Sequence, residues 1–137
     1  MILKKTGPDC ILLICKDQQE LLLNKLLLQK LNVACAVIAV DSQFKALHFI
    51  RKFAGQGKKD LLILLDNSIS MQGGYSFYYD LDELKPSCFE HIYIYLLTRL
   101  LKSQVFTESG NQNIYGYIDL PLSSEKIFKV IAQINRS

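Results

Sequence analysis

The residues able to do chemistry are few, and their spacing removes the commonest motifs at once. The cysteines are Cys10, Cys15, Cys35 and Cys88, and the histidines are His48 and His91. No Cys-x-x-Cys occurs and the histidines lie far apart, so there is no linear zinc or dithiol redox motif. Three of the cysteines sit in apolar runs, where a free thiol behaves as a small buried hydrophobe. Cys15 has only Cys10, on the same run, as a neighbour, which argues against a redox pair. What remains is a set of polar residues that close apolar runs. Cys15-Lys16-Asp17 closes the first, Asp66 the third, Thr98 the fourth and Asp119-Leu120 the last. A carboxylate in such a place is a nucleophile or a ligand in one setting and an ordinary turn residue in another.

The elements that position these residues alternate along the chain. Cys10–Cys15 is short, continuous and apolar, as a strand buried on both faces is. From Gln18 to Leu31, Leu22, Leu23, Leu26, Leu27 and Leu31 recur at helical spacing and predict one buried helix face. Ala34–Val40 reads as a second strand. Asp41 or Ser42 can then cap a helix carrying Ala46, Phe49, Ile50 and Phe53. Leu61–Leu65 is the strongest strand signal and stops at Asp66. A polar loop from Asn67 to Gly74 leads to a weaker helix over Tyr75–Leu84. His91–Leu97 is the fourth strand, and a short helix is expected within Arg99–Glu108. Ile114–Ile118 is the fifth. Ser123 or Ser124 caps a last helix with Ile127, Val130, Ile131 and Ile134 on one face.

This repeated βα pattern predicts a flavodoxin-like, doubly wound sheet of five parallel strands with helices on both faces, in a single domain over residues 1–137. In such sheets ligands bind outside the carboxyl ends of the strands, where the polar residues above collect. The 137 residues suffice for one core, and an apolar fraction of 50% excludes disorder. A net charge of +3 with scattered basic residues argues against nucleic acid. The N-terminus lacks the apolar stretch of a signal peptide, and Leu21–Leu31 is broken by Asn24, Lys25, Gln29 and Lys30. The expectation is a soluble, reduced, cytoplasmic protein that does not engage a membrane.

Four segments, in order, resemble the receiver domain of bacterial two-component response regulators. Leu64–Tyr75 is similar to the family's loop around the phosphorylated aspartate, and Leu96-Leu97-Thr98 to the strand with the switch hydroxyl. Gly116–Leu122 resembles the last strand and its Lys-Pro turn, and Ser42–Leu47 falls at the second helix. The resemblance implies a phosphorelay module rather than an enzyme. In the family, an aspartate takes a phosphoryl group from a histidine kinase, with Mg²⁺ held by an acidic pair and a lysine beside it. Position by position, Asp66 matches the phosphoacceptor, Thr98 the switch hydroxyl and Tyr117 the switch aromatic. Pro121 keeps the family proline, which allows a cis Leu120–Pro121 bond.

The departures fall on the charges. The acidic pair lands on Cys15 and Lys16, and the lysine on Leu120. Asp66 and Lys16 then cancel, which removes most of the drive to bind a hard cation. Asp17 supplies a carboxylate only if the first strand runs one residue further. Lys16 is expected either to pair with Asp66 in place of the metal or to stay in water. No metal or other cofactor is therefore expected. The function implied is a stand-alone pseudo-receiver with weak or absent phosphorylation at Asp66, acting by protein–protein contact through its last two helices and fifth strand. Its partners would be a sensor histidine kinase, a downstream signalling protein or, in a homodimer, a second copy. The alternative is a constitutive interaction or scaffold module. A flavin protein shares the fold, but Lys16–Gln19 is not its phosphate loop. The aromatic cluster of Tyr75, Phe77, Tyr78 and Tyr79 packs a helix or forms a partner surface.

Overall fold

Five largely apolar runs pair side by side, the three central ones mostly buried and the two at the edges partly covered. The structure, a computed structural model, describes residues 7–53, 59–66, 89–99 and 114–136. The strands are β1 (Cys10–Ile14), β2 (Ala36–Val40), β3 (Lys59–Asp66), β4 (Phe89–Thr98) and β5 (Ile114–Asp119). All pairings are parallel, in the order β2-β1-β3-β4-β5. The helices among the described residues are α1 (Gln18–Leu31), α2 (Gln43–Phe53) and α3 (Ser124–Asn135). This is the flavodoxin-like arrangement. Its strand order reverses at β1, so a crevice opens between the carboxyl ends of β1 and β3. The expected loop and helix between residues 67 and 88, the aromatic cluster within them and the helix after Arg99 lie outside the described residues.

Each strand feeds two cores by alternation. Cys10, Leu12 and Ile14 face α2, where they meet Ala46, Ile50 and Phe53. Ile11 and Leu13 face the other way, toward Leu28 of α1 and Ile127, Val130, Ile131 and Ile134 of α3. The Tyr95 hydroxyl donates to Gln133 Oε1 (2.8 Å) and ties β4 to α3. Its ring lies against β5 so closely that a Cβ at Gly116 would stand 2.7 Å from Tyr95 Cε2. Only glycine fits there without a shift of the ring. Ser42 Oγ accepts from the Lys45 N–H (3.1 Å) and Ser123 Oγ from that of Lys126 (3.2 Å), so these residues supply the caps of α2 and α3.

Several sequence expectations need correction. The first strand ends at Ile14 rather than Cys15, and the second starts at Ala36 rather than Ala34. β3, β4 and β5 run further than their apolar cores, because backbone pairing continues past the last hydrophobe onto Asp66, Thr98 and Asp119. The buried face of α1 also differs. Leu28 is its one fully buried leucine, with Leu21, Leu27 and Leu31 partly covered, whereas Leu22, Leu23 and Leu26 are 57%, 66% and 52% exposed. Leucine at half the positions of α1 draws several stripes at helical spacing, and contact with the sheet selects among them.

Leu28→Ala is therefore expected to cost about 2–5 kcal/mol in urea unfolding, and Leu23→Ala no more than about 0.5 kcal/mol. Equal losses would contradict this packing. The buried groups also set an alkaline limit. Burial, then Asp9, pushes the Cys10 thiol from 9.0 up to about 12, and burial, then Tyr115 and Tyr93, pushes Tyr95 from 10.0 up to about 12. Between those limits the folded chain keeps protons that the unfolded chain releases. Stability is thus full below pH 9 and falls as pH rises toward 12. Urea midpoints at neutral and alkaline pH measure this, and Tyr95→Phe flattens the slope above pH 10.

Candidate functional site

Strand register builds the site. β1 and β3 run in parallel with Ile14 opposite Leu65, so the next residue of each, Cys15 and Asp66, stand side by side. The Cys15 N–H donates to the Val40 carbonyl (3.1 Å), which holds this residue in line after the strand ends. Asp66 lies opposite Leu97, which sets the buried Thr98 one step beyond it at the end of β4. Cys15 and Asp66 are 1% and 5% exposed. The Cys15 thiol donates toward Asp66 Oδ2 (3.5 Å), and Glu20 Oε2 and the Asp17 carbonyl lie 3.8 Å from the same sulfur. Burial dominates the acidity of this thiol and, with Asp66 beside it, pushes it from 9.0 up to about 11, against the opposing pull of the Asp17 backbone.

Two residues that the sequence reading did not include complete the cleft. Glu20 reaches it from the first turn of α1, and its other carboxylate oxygen pairs with the guanidinium of Arg99, just past β4. Asp17 and Glu20 have capping-box spacing, which is the sequence signal that places Glu20 over the end of β1. Arg99 carries no such signal. Lys16, Asp17, Glu20, Asp66 and Arg99 together line an open cleft of about 410 Å³. Its three carboxylates against two cations leave a net charge of −1.

The expected ion pair between Lys16 and Asp66 does not form among the described residues. Lys16 is exposed at the rim, because the chain turns outward there to start α1. The cation paired within the cleft is Arg99, and its partner is Glu20. Asp17 is engaged elsewhere too: its Oδ1 accepts from the Glu20 N–H (3.0 Å) as the cap of α1. Tyr117 is partly buried against the core on the α2 side. Leu120 packs into the opposite core and brings hydrocarbon, not charge, to the end of β5. Its N–H donates to the Thr98 carbonyl (3.0 Å), and the Leu120–Pro121 peptide is cis.

No protein-family model matches the sequence, and no curated protein matches it. Solved structures do. A two-component response regulator from Cytophaga hutchinsonii superposes with a TM-score of 0.76 at 15% identity, covering 96% of this chain and 99% of that one. One from Legionella pneumophila gives 0.71 at 23% identity, covering 93% and 98%. The fold is that of receiver domains. A pilus assembly protein CpaE from Caulobacter crescentus shares this receiver fold, with a TM-score of 0.60 at 13% identity over 91% and 98% of the chains. The ion that the receiver resemblance implies is Mg²⁺, which asks for a near-octahedral shell of oxygens. At the end of β1 the cleft presents a thiol in place of an oxygen ligand, Arg99 engages one oxygen of Glu20, and Asp17 caps a helix. The donor set does not fit Mg²⁺.

A thiol held near 11 is ionised at about one part in a thousand at pH 8. Iodoacetamide at that pH is therefore expected to label the exposed Cys35 at least about tenfold faster than the buried Cys15. Peptide mapping over time measures both, and equal rates would show that the thiol is neither buried nor raised.

Proposed function

We propose that this chain is a receiver-type signalling module that acts by protein–protein contact, with Asp66 at the phosphoacceptor position and little or no Mg²⁺-dependent phosphorylation. The observation that carries this reading is the Cys15 thiol lying against Asp66 where the site needs an anionic ligand. A carboxylate attacks a phosphoryl group only where cations offset the charge on the transferring oxygens. Here Arg99 is engaged by Glu20, Lys16 is exposed at the rim without an ion pair to Asp66, and Leu120 stands in the lysine position. Thr98 and Tyr117 take the switch hydroxyl and switch aromatic positions of a single domain over residues 1–137. The module is not an enzyme. Its partner is a sensor histidine kinase, a downstream signalling protein or a second copy of the chain. The cytoplasm is the setting that goes with this signalling reading, and no described helix is long and apolar enough to cross a membrane.

A second reading, a constitutive scaffold module without phosphate chemistry, is favoured by the donor set that does not fit Mg²⁺, with a thiol against Asp66 and Arg99 engaged by Glu20. Incubation with acetyl phosphate and Mg²⁺, followed by intact mass, tests the phosphate chemistry, with Asp66→Asn as the control. No adduct is expected. A single phosphoryl adduct that disappears in Asp66→Asn would identify a working receiver and overturn both readings. A partner bound equally by the native chain and Asp66→Asn would favour the scaffold.

A further inference from the structure

The cleft that fails Mg²⁺ has a donor set of a different kind. Cys15 Sγ, Glu20 and Asp66 each offer one ligand atom, and the three atoms lie within 4.8 Å of one another. They come from three elements: the end of β1, the first turn of α1 and the end of β3. We infer that this cleft is a site for a thiophilic divalent cation of the zinc class, held by Cys15, Glu20 and Asp66.

The geometry supports this in detail. A tetrahedral zinc with Zn–S of about 2.3 Å and Zn–O of about 2.0 Å has sulfur-to-oxygen edges of about 3.5 Å. The edges here are 3.5 Å from Cys15 Sγ to Asp66 Oδ2 and 3.8 Å to Glu20 Oε2. The two sulfur-to-oxygen edges thus match a tetrahedral ion to within about 0.3 Å, and the carboxylate oxygens, within 4.8 Å of each other, turn about their side-chain bonds to close the third edge. The ion takes the place of the thiol proton, which leaves to solvent, and the sulfur bonds the metal instead. Cys15 and Asp66 are fixed by the sheet, and Arg99 on the far oxygen of Glu20 turns its near oxygen toward the sulfur, as partners of metal-bound carboxylates do. The fourth position faces the open cleft and takes water or an exogenous ligand.

Ligand softness decides which ion enters. A thiolate favours zinc-class ions, whereas Mg²⁺ gives up its water reluctantly and gains little from sulfur. Lys16 and Arg99 repel every cation alike, so they weaken binding without changing that preference. The inference goes beyond the signalling reading, since it holds whichever partner the module has.

Cobalt is the probe, because a sulfur–cobalt bond gives a near-ultraviolet charge-transfer band and a tetrahedral site gives visible absorption. The full chain, metal-free and reduced, carries Cys35→Ser and Cys88→Ser to silence other thiols. Titration is expected to raise both signals and to saturate at about one ion per chain. Zinc displaces the cobalt, and a hundredfold excess of Mg²⁺ leaves it bound. Cys15→Ser removes the sulfur band while far-ultraviolet circular dichroism stays unchanged, and Glu20→Gln weakens binding at least about tenfold. Zinc also slows alkylation of Cys15 in the otherwise native chain, a readout that needs no substitution in the cleft. Absence of the band, its survival in Cys15→Ser, displacement by Mg²⁺ or alkylation unaffected by zinc would each overturn the inference. Failure here leaves the acetyl phosphate result standing, since that experiment contains no thiophilic ion.

Discussion

The site depends on the in-register parallel pairing of β1 with β3. Ile14 opposite Leu65 is a backbone constraint set by two apolar runs that must both be buried. The adjacency of Cys15 and Asp66 follows from it, although 51 residues separate them along the chain. Because strand side chains alternate between faces, a slip of one residue would send every hydrophobe of β1 into the wrong core. The two cores thus guard the register, and the register guards the cleft. Packing far from the polar residues is in this sense what holds them at bonding distance.

Within the cleft, charge and softness separate two kinds of chemistry that one backbone can host. Three oxygens around a hard ion would compensate a phosphoryl group, whereas a sulfur among two carboxylates changes the ion that fits without moving the backbone. Arg99 adds to the contrast. By pairing with Glu20 it brings a permanent positive charge from the end of β4 to the mouth of the cleft. The receiver fold supplies the crevice, and the side chains at its rim decide what enters.

The legibility of this protein in its sequence was uneven for physical reasons. Leu61–Leu65 reads plainly as a strand, since nothing but burial on both faces explains five consecutive aliphatic residues. Asp66 and Thr98 were found by their place at strand ends, which the fold turns into a place at the crevice. The leucines of helix α1 satisfy more than one stripe, and the sheet chooses among them: of the expected face Leu27 and Leu31 meet the core, while Leu22, Leu23 and Leu26 do not. Glu20 looked like an ordinary acid in the first turn of a helix, and Arg99 like a surface cation. Their pairing is a three-dimensional fact, and so is the departure of Lys16 from Asp66, which turns on how the chain leaves β1.

The ring of Tyr95 has a consequence for how this chain can change over time. It occupies the space where position 116 would carry a side chain, and its hydroxyl is committed to Gln133 on α3. A descendant that acquires alanine at 116 must shrink or turn residue 95, and the hydrogen bond to residue 133 is then lost. Three positions on β4, β5 and α3 are thereby tied into one inherited unit, and a correlated substitution pattern among them is the mark that this packing would leave in a lineage.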